Sequence, residues 1–205
     1  MGETDKAWGI LGGTFDPVHL AHIRLAEHAL AELELEKVIF IPAYIPPHKT
    51  DRAITDETHR LEMTRLAVRA YREFEVSDIE LKLSGASYTA RTLTLLAKRH
   101  KRLVFILGAD SFMALDSWYR PEIIFARAEI ACACRNGIAL ETLKDRADFY
   151  RKKYNAVTRL LCMDDTDISS TAIRRRAAEG RDISAFVPAA VCEYIYEKGL
   201  YNVKV

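Results

Sequence analysis

The sequence contains no apolar run of membrane-spanning length, so no transmembrane helix is expected. Its N-terminus, Met1-Gly2-Glu3-Thr4-Asp5-Lys6, lacks the basic-then-apolar plan of a secretory leader. The Met-Gly start also lacks the Ser or Thr at position 6 that a myristoylation signal needs. The cytosol is the expected location. Charge of one sign is missing too: 30 Lys and Arg stand against 29 Asp and Glu, a formal net charge of +1. No polybasic tract recruits nucleic acid or an anionic membrane, and neither is expected as a partner. A small anionic ligand stays open, because one pocket can be basic while the whole is neutral. Cysteine is scarce, with Cys132, Cys134, Cys162 and Cys192 the only four. Cys132 and Cys134 alternate along an apparent strand, and no second close pair completes a zinc pattern. Buried free thiols are expected, and no protein-held metal. No repeat, low-complexity segment or linker interrupts the chain.

What is present is an ordinary globular balance, 49% hydrophobic and 29% charged, over 205 residues. That length supports one domain with a sizeable core, 1–205, with a small helical part from about residue 169. Oligomeric state is not legible, and a homo-oligomer stays open.

Trp8 to Leu11 is a short apolar run ending in Gly12-Gly13, which reads as a buried strand and a tight turn. Asp16-Pro17 looks like a helix start, with Asp at the cap and Pro at the first helical position. Leu20, Ile23, Ala26, Leu30 and Leu33 follow at helical spacing. Val38 to Ile41 is a second buried strand, and Pro42 to Thr55 a long loop carrying Pro46-Pro47-His48-Lys49. Helices are expected over 57–71 and 89–98, with a bent or bulged strand over Val76 to Leu83 between them. Leu103 to Leu107 is a third apolar strand, ending at Gly108-Ala109-Asp110. A short helix over 121–127, a strand over 129–134, a helix over 140–154 and a strand over 157–163 come next. Helices over about 170–179 and 189–198 close the chain.

Apolar strands alternating with helices imply an α/β fold: a Rossmann-like, doubly wound, mostly parallel sheet with helices on both faces. Such sheets bind ligands beyond the carboxyl ends of their strands. The turns at Gly12-Gly13 and Gly108-Ala109-Asp110, and the loop after Met163, should then share one edge.

Two segments carry chemistry. In Gly12-Gly13-Thr14-Phe15-Asp16-Pro17-Val18-His19-Leu20-Ala21-His22 the glycines permit close approach to a ligand, and amides at a helix start attract phosphate. His19 and His22, three apart, share a helical face and can donate to phosphate oxygens; at this spacing they could also bind metal or simply pack. No Walker sequence or three-glycine dinucleotide fingerprint is present. In Ile168-Ser169-Ser170-Thr171-Ala172-Ile173-Arg174, Ser169 or Ser170 can cap a helix, while the remaining hydroxyls and amides can hold phosphate. Arg174 lies four residues after Ser170 and offers a planar fork. Taken without its pair, this segment is a capped surface helix, with Arg175 and Arg176 solvated at its end.

Together the two segments resemble the signature of the nucleotidylyltransferase superfamily, with its His-x-Gly-His-type element and Rossmann-like fold. Pro46-Pro47-His48-Lys49, Ser87-Tyr88-Thr89, Gly108-Ala109-Asp110, Leu115-Asp116-Ser117-Trp118-Tyr119 and the ending from Tyr194-Ile195 to Leu200-Tyr201 are similar to the bacterial nicotinate-nucleotide adenylyltransferase branch. The resemblance runs from about Gly9 to Tyr201. Two positions depart from it: Ala21 stands where the superfamily has Gly, and Asn136 stands in Arg135-Asn136-Gly137 where the branch often has Pro.

The resemblance implies adenylyl transfer from ATP to nicotinate mononucleotide, with Mg²⁺ arriving on ATP. It assigns His19, His22 and Arg174 to catalysis, and with Ser170 and Thr171 to holding the triphosphate. Gly12, Gly13, Thr14, Phe15, Lys49, Gly108, Asp110, Arg135 and Ile168 complete the implied ATP site, with Asp110 on ribose. Trp118 would stack on the pyridine ring, and Thr89 and the amide near Tyr119 would meet the nicotinate carboxylate. Rival readings are an acceptor such as phosphopantetheine or nicotinamide mononucleotide, a cytidylyltransferase, or a non-catalytic nucleotide sensor. Read alone, Trp118 is a core residue, Thr89 a helix cap and Asp110 a cap after Gly108.

Overall fold

The computed structural model describes residues 6–44, 54–83, 85–134, 138–163 and 168–202. Strands β1 (Trp8–Gly13), β2 (Lys37–Pro42), β3 (Phe74–Val76), β4 (Leu103–Gly108), β5 (Glu129–Cys134) and β6 (Thr158–Cys162) form one sheet in the order β3-β2-β1-β4-β5-β6. β1 runs parallel to β4, β4 to β5 and β5 to β6, with Ile10 opposite Phe105, Phe105 opposite Ile130 and Ile130 opposite Thr158. The continuous apolar runs read from the sequence have the expected physical cause. Val38 to Ile41 and Leu103 to Leu107 are buried along their whole length, as strands covered on both faces must be. The α/β fold is therefore as the sequence implies.

The helices are α1 (Leu20–Glu32), α2 (Glu57–Val68), α3 (Ile79–Leu83), α4 (Thr89–Leu96), α5 (Ala109–Ala114), α6 (Pro121–Arg127), α7 (Leu140–Tyr154), α8 (Ser170–Ala178) and α9 (Ala189–Glu197). Short 3₁₀ turns lie at Leu115–Ser117 and Leu200–Asn202. Two expectations need correction. Val76 to Leu83 is not a bent strand: β3 stops at Val76, and the helix α3 starts at Ile79. No residue of α3 is buried, Lys82 N–H donates to the Asp78 carbonyl, and the Lys82 ammonium pairs with the Asp78 carboxylate at 2.8 Å. The alternating Ile79, Leu81 and Leu83 mimicked a strand, while the Lys82–Asp78 pair fits the i,i+4 spacing of a helix turn. The second correction is Asp16-Pro17, a cis peptide bond lying before α1 rather than a cap.

The chain divides into two compact units. The first comprises 1–12, 25–39 and 88–165. Within it the parallel strands place the carboxyl ends of β1, β4, β5 and β6 on one edge. A methyl on Gly9 would lie 2.8 Å from Leu35 Cδ1 and 2.9 Å from Ile106 Cδ1, so this core admits only glycine there without shifting its neighbours. The second unit comprises 13–24, 40–87 and 166–205, and its core is built where α2 packs on α9 and β3.

Candidate functional site

In the second unit the chain turns sharply after Gly13. A side chain there would meet the Phe15 ring at 2.7 Å, so the turn closes only over glycine. Phe15 itself is left-handed, at φ 49°, with its ring buried against Phe40 and edge-on to His22 at 5.0 Å. Any contact of Phe15 with a nucleotide is therefore through its backbone. His19 occupies the cap position: its carbonyl accepts from Ile23 N–H at 3.4 Å, and α1 starts one residue later. The two imidazoles do not merely share a face. They stack at 3.7 Å, and His22 Nδ1 accepts from the His19 backbone N–H at 3.2 Å. An accepting Nδ1 fixes the neutral tautomer, so the ring proton sits on Nε2, which is then a donor. Ala21 is 2% exposed, and the core covers its methyl.

α8 brings the second signature segment onto the first. Ser169 is its cap, accepting from Ala172 N–H at 3.2 Å. Ser170 is thereby freed to donate its hydroxyl to the Pro17 carbonyl at 3.0 Å. Arg174 Nη1 donates to the Asp16 carbonyl at 2.6 Å, and Nη2 donates to Thr171 Oγ1 at 3.2 Å. The helix thus starts with its first amides and its Arg174 fork beside the glycine turn. Ile168 lies just before the cap and is half-buried. Arg176 differs from the solvated role expected of it: it donates to the Asp182 carbonyl at 3.0 and 3.1 Å and covers the Phe186 ring.

Two residues that had no role assigned from the sequence hold this arrangement. Arg60, 1% exposed, donates to the carbonyls of Thr55 (2.8 Å), Thr14 (2.8 Å), Ala43 (2.6 Å) and Tyr44 (3.1 Å). It pins the glycine turn to the exit of β2. The signal was available, since Arg60 lies on the stripe of α2 that also buries Thr64 and Ala67. A buried cation on an apolar stripe has to be held by acceptors. Burial pulls its pKa down, and the Asp16 carboxylate pushes it back up. The second residue is Tyr201, whose hydroxyl donates to Asp16 Oδ1 at 2.9 Å. Burial, then the adjacent Asp16 charge, holds that phenol far above its ordinary value, so it stays a donor. Asp16 also accepts from Thr55 N–H at 3.4 Å.

In the first unit, β4 ends at Gly108 and α5 begins at once. Asp110 sits exposed in the first turn of α5, and Gly108 is the cap, so Asp110 does not cap this helix. Gly12 ends the buried part of β1. Thr89 opens α4 without capping it, since Tyr88 holds that position. Trp118 is half-buried with its ring 6.2 Å from Phe105, and is not a core residue. Tyr119 is 55% exposed and lies against Tyr88, ring centroids 4.4 Å apart. The structure thus brings Thr89, Trp118 and Tyr119 to one neighbourhood. Arg146 braces it by binding the Asp116 carboxylate and the Met113 carbonyl (2.7 Å), and Tyr150 donates to the Phe112 carbonyl at 2.6 Å.

Lys49 and Arg135 lie outside the described residues, as do Asn136 and most of the Pro42–Thr55 loop. Among the described residues no group of three or more His, Cys, Asp or Glu could hold a metal. A cavity of about 470 Å³ opens instead at the amino ends of the strands, lined by Ala7, Glu34, Arg102, Glu129, Thr158 and Arg159. None of the candidate residues lines it, and its two arginines, Arg102 and Arg159, both meet Glu129.

The cytidylyltransferase-like family model matches residues 10–176. A relative from Carboxydothermus hydrogenoformans, named “Probable nicotinate-nucleotide adenylyltransferase”, is 39% identical over 95% of this chain and 97% of its own. One from Thermomicrobium roseum with the same name is 41% identical over 95% of this chain and 91% of its own. Among solved structures, the nicotinic acid mononucleotide adenylyltransferase of Plasmodium falciparum complexed with NaAD superposes with a TM-score of 0.80, at 19% identity, covering 97% of this chain and 98% of that one.

Proposed function

The chain belongs to the cytidylyltransferase-like family and, within it, to the nicotinate-nucleotide adenylyltransferases, and on that premise we propose that it transfers the adenylyl group of ATP to nicotinate mononucleotide, releasing pyrophosphate and forming nicotinate adenine dinucleotide. The observation that carries the reading to particular residues is the tethering of α8 to the Asp16-Pro17 turn by Ser170 and Arg174. It joins the histidine segment to the Ser-Thr-Arg segment, and phosphate chemistry needs donors converging from both.

A 5′-phosphate oxygen of the mononucleotide attacks the α-phosphorus of ATP in line, the bond to the β-phosphate bridging oxygen breaks, and pyrophosphate leaves. The attacking phosphate is already an anion at neutral pH, so no protein base is required and no covalent enzyme intermediate forms. Catalysis is then positioning and charge stabilisation. His22 donates through Nε2–H, in the tautomer that the His19 backbone N–H selects by donating to Nδ1. Arg174 and the first amides of α8 take the triphosphate oxygens, with His19 stacked behind His22 and fixing its ring plane. Lys49 adds charge, and Asp110 and Arg135 serve the ribose and adenine side. Trp118 stacks on the pyridine ring, while Thr89 and the Tyr119 amide donate to the carboxylate.

The donors proposed for the clamp are N–H and hydroxyl groups, and the carboxylate beside them, Asp16, accepts from Tyr201 and Thr55. A protein-held metal does not fit there. Mg²⁺ is proposed to travel on ATP, bound by phosphate oxygens and water, where it neutralises phosphate charge. We place the reaction in the cytosol, in a single domain.

Pyrophosphate release with ATP or CTP against a panel of acceptors tests the reading. Release with ATP and nicotinate mononucleotide is expected. Release only with CTP, only with phosphopantetheine, or with no acceptor at all would overturn it.

A further inference from the structure

The two thiols at the carboxyl ends of β5 and β6 are not the buried, inert cysteines expected from the sequence. Cys132 and Cys192 are buried, but Cys134 is half-exposed and Cys162 is exposed. The register of the parallel ladder sets Cys134 directly opposite Cys162. Residues paired in this way project to the same face of the sheet, and neighbouring strands lie about 4.7–4.9 Å apart. That spacing falls inside the Cα–Cα span of disulfides, about 4.4–6.8 Å. Paired residues of a flat ladder hold their Cβ atoms wider than a bridge requires, so one strand must close slightly. Among the described residues β6 is the last strand in the sheet order and pairs on one side only, so it can move toward β5 without displacing another strand. The two thiols already interact: burial, then the neighbouring Cys162 thiol, pushes the Cys134 pKa up to about 11. Cys132 shares the face of Cys134 but lies two residues along the strand, about 6.6 Å away, and is sealed from solvent.

We propose that Cys162 and Cys134 form a thiol-oxidation site, in which a hydroperoxide converts the pair into a reversible disulfide joining the carboxyl ends of β5 and β6. Cys162 takes the first step because it is exposed. Its thiolate attacks a peroxide oxygen, the S–O bond forms, the O–O bond breaks, and the leaving oxyanion takes a proton to become water (or an alcohol, from an organic peroxide). Cys134 then attacks the Cys162 sulfenic sulfur. The S–S bond forms, the S–O bond breaks, and the hydroxide leaves as water with the Cys134 proton. Two thiols are oxidised as one peroxide is reduced. The division of labour follows from the environments: the half-exposed thiol with the raised pKa is a poor first nucleophile, but it stands where a sulfenic acid on Cys162 must be resolved.

The test uses the full chain treated with hydrogen peroxide, alkylated, digested and mapped by mass. The expected product is a cross-link between the Cys134 and Cys162 peptides that dithiothreitol reverses. Cys132 and Cys192 should remain alkylatable after unfolding, and the rate should be independent of protein concentration. In Cys134→Ser, Cys162 should stop at a sulfenic acid that dimedone traps. In Cys162→Ser, peroxide consumption should fall about tenfold or more. The proposal is overturned if the unsubstituted protein carries Cys162 to sulfinic acid while Cys134 stays alkylatable, or if the only disulfides formed join separate molecules. Both of those outcomes are read on the unsubstituted chain, so a poorly folding variant cannot hide the answer.

Discussion

Arg174 donates from Nη1 to the backbone carbonyl of Asp16 at 2.6 Å, joining residues 158 positions apart. The guanidinium therefore has two duties. One edge of the fork fixes the turn that follows Gly13, and a second nitrogen is set on Thr171. The fork is pre-oriented by the Asp16 carbonyl and the Thr171 hydroxyl, which would suit the proposed stabiliser of transferring phosphate: its donors are aimed before charge develops.

Arg174→Ala and His22→Ala should each lower kcat by about 10²–10³ while leaving a folded chain, since in the proposed clamp each would remove one donor aimed at developing charge. Arg174→Lys should restore part of the fold stability and little of the rate, because an ammonium lacks the planar fork. Steady-state pyrophosphate release and circular dichroism on the same samples check this. Near-normal turnover in both folded alanine variants would falsify the phosphate roles.

Arg60 answers a different question. Arg60→Met should destabilise the protein by about 3–5 kcal/mol, because the carbonyls of Thr14, Ala43, Tyr44 and Thr55 lose their donors inside the core. Arg60→Lys should recover only part of it, with fewer N–H groups and no fixed fork. Urea unfolding reads the difference. A loss below about 1 kcal/mol in Arg60→Met would mean the carbonyls find other donors.

The sheet was largely legible because parallel strands covered on both faces write themselves as unbroken apolar runs, as Val38 to Ile41 and Leu103 to Leu107 do. The segment from Val76 to Leu83 was not, because a five-residue helix turn is too short for its period to separate from alternation. Asp16-Pro17 carried the composition of a helix start, but the Asp16 carboxylate is claimed by Tyr201 from the far end of the chain, which no local rule detects. The exposure of Cys162 was hidden for a similar reason: it depends on β6 lying at the sheet edge, a matter of strand order rather than strand pattern.

Alkaline pH gives a check on Tyr201. Its folded pKa is raised above the ordinary phenol value, first by burial and then by Asp16. A raised folded pKa contributes stability that is fully present below the unfolded pKa, near 10, and is lost as pH rises toward the folded value. Urea midpoints should therefore fall from about pH 10 upward, and fall less steeply in Tyr201→Phe. Equal slopes in the two proteins would remove Tyr201 from the account.

Metal dependence should belong to the nucleotide. EDTA is expected to abolish turnover and Mg²⁺ to restore it, and the purified active protein should carry no stoichiometric zinc. The sequence lacks a second close cysteine pair, and the proposed clamp donates through N–H and hydroxyl groups. Stoichiometric zinc whose removal ends activity would sink this reading.

Acceptor choice exposes the proposal most. Thr89 opens α4 with its hydroxyl not used as the cap, Trp118 is half-buried rather than core, and Tyr119 stands exposed beside Tyr88. A carboxylate only accepts hydrogen bonds, whereas a carboxamide also presents an NH₂ donor. In the proposed pocket, the Thr89 hydroxyl and the Tyr119 backbone N–H would face the ring substituent and would suit the acid. The amide would set its NH₂ against donors, or flip and leave one N–H unpaired, at a cost of about 1–3 kcal/mol. Nicotinate mononucleotide should then be preferred over nicotinamide mononucleotide by roughly tenfold or more in kcat/KM. Trp118→Ala should weaken both acceptors alike, because stacking is indifferent to the acid–amide difference. Thr89→Val should narrow the preference, since on this proposal it removes a side-chain donor to the carboxylate while keeping the shape. Competition assays with both mononucleotides measure each ratio. Equal use of acid and amide by the unsubstituted enzyme would refute the pocket assignment and leave adenylyl transfer standing.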